Sequence, residues 1–218
     1  MSIASKIVFL KEKLPQNVRL VAVSKTHSVA DILEAYNAGQ RIFGESRAQE
    51  MAAKQRALPP DMEWHFIGPL QCNKVKDMAS FVHTIHSVDS LRLLGEINKQ
   101  AAKHSRIINV LLEIHIAKEE NKHGFAPSEC PAILREDDLN MLRNIRICGL
   151  MGIATLTDEK DVMAQEFRSL HNLWSELKAE LFNNNPFFTE ISMGMTADYE
   201  IAVAEGSTMV RIGSFIFS

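Results

Sequence analysis

The chain has 218 residues, 46% of them hydrophobic and 23% charged, with a formal net charge of −3. That is enough for one domain with a sizeable core, and it excludes the strongly basic footprint of a nucleic-acid or anionic-membrane binder. The cysteines Cys72, Cys130 and Cys148 are odd in number, widely spaced and without a CxxC pair, which fits small buried apolar side chains in a reducing compartment better than a disulfide framework.

The opening MSIASKIVFLKEKL has too short an apolar run and too many lysines for a signal peptide, and no later stretch approaches a membrane span. It reads as an amphipathic helix with Ile3, Ile7, Val8 and Leu10 on one side, in a soluble, cytoplasmic protein. Eight β-rich runs follow: RLVAVS (19–24), RIFGE (41–45), WHFIG (64–68), FVHTIHSV (81–88), INVLLEIHI (108–116), IRICGLMGI (145–153), FTEISM (188–193) and TMVRIG (208–213). Several are almost continuously apolar, as strands covered on both faces are. Between them lie helical patterns with caps: Ser28 before VADILEAYN with Gly39 as its stop, Asp89 before SLRLLGEINKQAAK, Ser128 before ECPAILRE, and Asp158 before a long stretch that ends near Asn183 to Pro186.

Strands alternating with helices predict a parallel α/β sheet. Eight βα units with no linker between them predict a single domain, residues 1–218, folded as a closed (β/α)8 TIM barrel with an extra N-terminal helix. The alternative, an open doubly wound sheet, lacks its glycine-rich turn after strand one, which here reads SKTHSV.

A barrel of this kind works at the carboxyl ends of its strands. Lys25 is the only lysine immediately at a strand tip; it is either a solvated rim charge or an amine that attacks a carbonyl, and its own strand does not choose. Ser192, Gly194, Met195 and Thr196 at the end of strand seven, with Gly213 and Ser214 at the end of strand eight, supply small hydroxyls and backbone N–H groups where barrels often bind phosphate, although glycines also simply make tight turns. An aldehyde for the lysine and a phosphate for the loops together describe pyridoxal 5'-phosphate. Arg211, two residues before Gly213 and so on the same face of its strand, would then face the pyridine nitrogen, or else sit in a structural ion pair.

The segments VAVSKTH, RIFGESRAQE, WHFIGPLQCNK, NVLLEIHIAKEENKHGF, ICGLMGI, ISMGMTADYEIAVAEGSTMVRIG and SFIF resemble the pyridoxal phosphate homeostasis proteins, single-domain relatives of the alanine racemase barrel also called fold type III. The resemblance runs from about residue 19 to the end. It implies that Lys25 holds the cofactor as a Schiff base, that Arg211 lies at the pyridine nitrogen, and that Ser192, Thr196, Gly213 and Ser214 contact the phosphate. It implies intracellular buffering or delivery of the cofactor, with PLP-dependent apoenzymes as partners, and no efficient turnover. Two departures stand out: Ser46 where the family has Asn, and Phe217–Ser218 where it continues IFG with a basic tail.

Racemisation needs a second base, which the two-domain racemases take from their additional domain. The only tyrosines here are Tyr36 and Tyr199, both placed in helices, so a weak racemase, or an aldolase forming its Schiff base with a phosphorylated sugar, is the rival reading. Glu45 and His65 lie near strand tips but read as barrel residues as readily as acid or base. His83 and His86 fall on opposite faces of a strand, so no metal site is expected. Asn73, Lys74 and Lys76 in GPLQCNKVK read as a solvated helix start more readily than as a rim contact to an anionic group or partner, and Lys122 in the loop after strand five as a secondary ligand or regulatory contact.

Overall fold

In the computed structural model, residues 1–119, 123–135 and 141–218 are described. Helix α1 (Ile3–Lys13) precedes eight strands: β1 (Arg19–Val23), β2 (Ile42–Glu45), β3 (Glu63–Phe66), β4 (Thr84–Val88), β5 (Ile108–Ile114), β6 (Ile145–Gly152), β7 (Glu190–Ser192) and β8 (Met209–Ile212). All pair in parallel with their sequence neighbours, and β8 returns to β1, so the sheet closes into a barrel. The TIM barrel and all eight predicted strands are therefore present.

The connecting helices are α2 (Val29–Asn37), α3 (Ala48–Ala57), α4 (Leu91–Lys103), α5 (Cys130–Ile133), α6 (Lys160–Glu180), α7 (Tyr199–Ala204) and α8 (Ser214–Phe217), and the β3–β4 connection carries a 3-10 turn, Cys72–Asp77, instead of an α-helix. Ser28 caps α2 in a reciprocal box: its hydroxyl accepts from Asp31 N–H at 3.2 Å, and Asp31 accepts from Ser28 N–H at 3.0 Å. The cap of α4 is Ser90 rather than Asp89, and α5 and α6 start after Glu129 and Glu159 rather than after Ser128 and Asp158, neither with a side-chain cap; the Ser90 hydroxyl accepts from Leu93 N–H, one residue nearer the helix than the aspartate. In α1, Ile7 and Leu10 are buried while Val8 is 47% exposed, because one residue advances the helix about 100° and carries Val8 off the face that Ile7 presents.

Strand alternation divides the apolar residues into two sets. Phe43, Trp64, Phe66, Ile85 and Ile212 point outward and pack with the helices in one continuous core. Leu111, Cys148 and Met151 form a separate small cluster with Ile153, which fills one side of the barrel interior; charged and polar side chains occupy the rest. Where β6 passes β7, Gly149 has φ +154° and an added Cβ would lie 1.8 Å from Glu190 O, so no other residue fits the crossing. The three cysteines are free, and burial pushes Cys130 up to about 12 and Cys148 up to about 11. Among the described residues no helix is long and apolar enough to cross a membrane.

Candidate ligand site at the carboxyl end of the barrel

Inward and outward positions alternate along β1: Val21 lies beside the bare face of Gly44 on β2, and Ser24, at the outward position beyond the strand, is fully buried. Lys25 is the next residue, exposed at the strand tip, in the register of Val21 and Val23. The backbone around it is tied from beneath by Lys54 of α3, a residue that is itself 7% exposed. Lys54 Nζ donates to Ser24 O at 2.7 Å, Glu45 Oε1 at 2.8 Å and Glu50 Oε1 at 2.7 Å. Ser24 Oγ donates to the same Glu45 oxygen at 2.6 Å, and Thr26 N donates to Glu50 Oε1 at 2.6 Å.

Two features show what this bracing opposes. Thr26 is held at φ +68°, a conformation that a β-branched residue adopts only when its surroundings impose it. Glu45 has its second oxygen, Oε2, buried with no partner, and burial raises its carboxyl above the ordinary range, an effect that the Lys54 and Ser24 hydrogen bonds oppose. Glu45 therefore faces α3, outside the barrel lumen, as half of a buried ion pair.

Across the β1–β8 seam, where Val21 is the register partner of Arg211, the guanidinium of Arg211 is 4% exposed. Its Nη1 donates to Ser192 O at 2.8 Å and Ser192 Oγ at 2.7 Å, and Nη2 donates to Gly152 O at 3.1 Å. Burial lowers its pKa to about 10, which leaves it charged at neutral pH. Ser192 is fully buried, and its hydroxyl also meets His86 Nδ1 at 2.9 Å. His86 Nε2 in turn meets His65 Nδ1 at 2.9 Å, so a chain of hydrogen bonds crosses the barrel from β8 to β3. Burial lowers both imidazoles, His65 to about 4 and His86 well below its usual range.

The loops after β7 and β8 meet at this seam, with Arg211 N donating to Gly194 O at 2.9 Å. Gly194 has φ +94°, and an added Cβ would lie 2.6 Å from Ala202 Cβ and 3.0 Å from Tyr199 Cα. This tight turn carries Thr196, half-buried, past the end of the strand, while Gly213 is half-buried and Ser214 exposed at the start of α8. The backbone N–H groups of Thr196, Ala197, Ser214 and Phe215 have no hydrogen-bond partner among the described residues. They are donors available to an anion.

Lys25, Thr196, Arg211, Gly213 and Ser214 thus share one end of the barrel, with Ser192 directly beneath the arginine it holds. Of the other residues singled out, Tyr36 lies at the end of α2 with its hydroxyl on Asp61 at 2.7 Å, on the opposite end of the barrel. Tyr199 starts α7, with its hydroxyl 3.3 Å from Glu200 Oε1. Ser46 packs against Gly68, whose added Cβ would lie 2.6 Å from Ser46 Cβ; Lys122 lies outside the described residues. A cavity of about 190 Å³ opens beside Ser87, Glu113, His115 and His123. Glu113 in its wall is raised by burial and then by Asp89. Sequence reasoning missed Lys54 and Glu113 and weighed His86 only as a metal partner of His83; the available signal was modest: Glu50 and Lys54 at i,i+4 on one helix, and alternation that turns Glu113 inward with Leu111.

Residues 2–218 match the family described as "Alanine racemase, N-terminal domain". The "Pyridoxal phosphate homeostasis protein" of Synechocystis sp. is 40% identical over 206 residues, covering 94% of this chain and 92% of that one. The chain belongs to that family. The protein of the same name from Aquifex aeolicus is 40% identical over 200 residues, with 91% and 86% covered. Among solved structures, PipY of Synechococcus elongatus without PLP superposes with a TM-score of 0.93 at 38% identity, and PipY with PLP bound with 0.86 at 36%, each covering 100% of both chains. An alanine racemase from Clostridium difficile, at 17% identity and TM-score 0.73, covers 99% of this chain and 55% of its own, and so shares the barrel alone.

Proposed function

We propose that this chain is a single-domain cytoplasmic protein that binds pyridoxal 5'-phosphate at the carboxyl end of its barrel and takes part in cofactor homeostasis by holding and releasing it. The observation that carries this reading is the pairing across the β1–β8 seam: a fixed, buried cation, Arg211, on the strand next to the one that ends in Lys25, with free N–H donors on the two loops beyond. Lys25 would bond through its amine to the aldehyde carbon with loss of water, and the N–H groups of the loops at Thr196 and Ser214, with the two hydroxyls, would hold the phosphate. Arg211 would face the pyridine nitrogen as a hydrogen-bond donor, and Ser192 would act through it by fixing its fork.

A cofactor held in this way would supply an electrophilic carbon, doubly bonded to the lysine nitrogen, that is open to exchange with other amines. An arginine at the ring nitrogen keeps that nitrogen unprotonated and the ring a poor electron sink, which favours holding over turnover. The PipY structure with PLP bound supports the ligand, and the names of the relatives support the role, with PLP-dependent apoenzymes as the recipients.

Borohydride reduction of the cofactor-loaded protein followed by peptide mass analysis tests the site. A pyridoxyl mass on the Lys25 peptide is expected, together with loss of visible absorbance in Lys25→Ala. A colourless protein, or an adduct on another lysine, overturns the assignment. A sugar-phosphate adduct on Lys25 would convert the reading to an aldolase.

A further inference from the structure

At the opposite, amino-terminal end of the barrel, Glu63, His65 and His83 bring three potential ligand atoms within 4.8 Å of one another. Glu63 Oε2 lies 3.7 Å from His83 Nδ1 and 3.9 Å from His65 Nε2, both beyond hydrogen-bond reach. His65 is fully buried, and its Nε2 has no hydrogen-bond partner. Its other nitrogen is committed to His86, so an unsatisfied nitrogen points at a carboxylate and a second imidazole. Buried polar atoms are seldom left this way, and each exception calls for a missing partner.

We infer that Glu63, His65 and His83 form a binding site for a divalent transition cation of the zinc type. Two imidazoles and one carboxylate are a ligand set that zinc accepts, with a solvent molecule completing the tetrahedron. Bonds of about 2.0–2.1 Å place tetrahedral ligand atoms about 3.4 Å apart, so the donors must close by a few tenths of an ångström to at most about 1.4 Å. The means are present, because the side chains of Glu63 and His83 are 42% and 41% exposed. Only His65 is rigid. His83 Nδ1 now meets Thr84 Oγ1 at 2.8 Å and would exchange that contact for the cation.

Of the three, His83 borders a cavity of about 170 Å³ that is also lined by Thr84, Arg19, Arg146 and Glu190. The nearby positive charge of Arg19 is engaged by Glu190 at 2.7 Å. The sequence pattern sets His83 and His86 on opposite faces of a strand; in the fold both rings lie against His65. His65 sits between them, with ring centroids 5.4 Å from His83 and 5.0 Å from His86.

Occupation of His65 Nε2 fixes the proton on Nδ1, which then donates to His86 Nε2 and leaves His86 Nδ1–H to donate to Ser192 Oγ. A cation at this end would therefore set the direction of both imidazole hydrogen bonds in the chain that ends at Arg211. Second-sphere partners of this sort commonly fix the tautomer of a ligating histidine.

The test is a Co²⁺ titration of the chelator-treated full-length protein, read by visible d–d absorption and followed by displacement with Zn²⁺. One equivalent is expected to bind, with affinity falling at least 10-fold in Glu63→Gln and in His83→Ala, while His104→Ala, an exposed histidine elsewhere, matches the parent. Proton–nitrogen correlation spectra of the Zn²⁺ form should show His65 and His86 as Nδ1–H tautomers. No stoichiometric band, a band that survives in both variants, or an Nε2–H signal from His65 with Zn²⁺ bound overturns the site. Since the ligands lie at the other end from Lys25, failure here leaves the cofactor reading intact.

Discussion

Replacing Lys54 by methionine keeps the length and apolar stem of the side chain and removes only its charge. In the parent that charge sits between two carboxylates and the Ser24 carbonyl, with Glu45 fully buried. Removing one partner of a buried ion pair costs about 3–5 kcal/mol, because the other is left as an uncompensated charge. For a chain of this size, where each kcal/mol moves Tm by about 2–4 °C, Lys54→Met should melt roughly 6–20 °C lower at pH 7.

The pH dependence has a definite sign. The carboxyl of Glu45 is already raised by burial in the folded protein and rises further without Lys54, so the folded state binds a proton where the unfolded chain does not. Its penalty is then full above the folded pKa and fades as pH falls toward the unfolded value of about 4.3. The deficit of Lys54→Met relative to the parent should therefore narrow at pH 5, and Lys54→Met/Glu45→Gln should recover most of it at pH 7. Thermal melts followed by circular dichroism at both pH values provide the measurement. A loss below about 1 kcal/mol, or the same loss at both pH values with no recovery in the double variant, refutes the argument.

Lys25→Ala should leave Tm almost unchanged, within about 0.5 kcal/mol, because the side chain is exposed; a large drop in a melt would show that Lys25 has a structural role. Gly194→Ala should destabilise by at least 1–2 kcal/mol from its positive φ and the close approach of Ala202, and should weaken retention of pyridoxal 5'-phosphate relative to the parent in equilibrium dialysis; equal retention and an unchanged melt would refute this. Arg211→Met removes the side-chain donor from two carbonyls in the barrel interior, while Ser192 Oγ keeps its contact with His86 Nδ1, at about 1–3 kcal/mol for each group left unpaired; an unchanged melt would be incompatible with its observed contacts. In a native thiol-labelling time course, half-buried Cys72 should react before Cys130 and Cys148, whose thiols burial holds at about 12 and about 11.

The strands were legible because a sheet covered on both faces must be written in apolar runs such as INVLLEI, and the strand-tip rule then singled out Lys25 and Arg211 without reference to any contact. What escaped was built from partners distant in sequence. Lys54 reaches Ser24 across 30 residues, and His86 reaches Ser192 across 106, so neither pair leaves a local pattern. The caps failed by a residue at Asp89, Ser128 and Asp158: at Asp89 the adjoining Ser90 caps the helix instead, and at the other two no side chain caps the first turn, neither of which spacing alone decides. Val8 was misread because apolar composition stood in for angular position.

The β1–β8 seam has a consequence in time as well as in space. Lys25 and Arg211 lie near opposite ends of the chain, and they become neighbours only when Arg19–Ala22 pair with Met209–Ile212. Such long-range pairing is slow to form, so a nascent or half-folded copy has no ligand pocket at all. Whatever binds between these strands acts as a clasp on the finished barrel: it recognises only completed molecules and, by mass action, shields them from reopening.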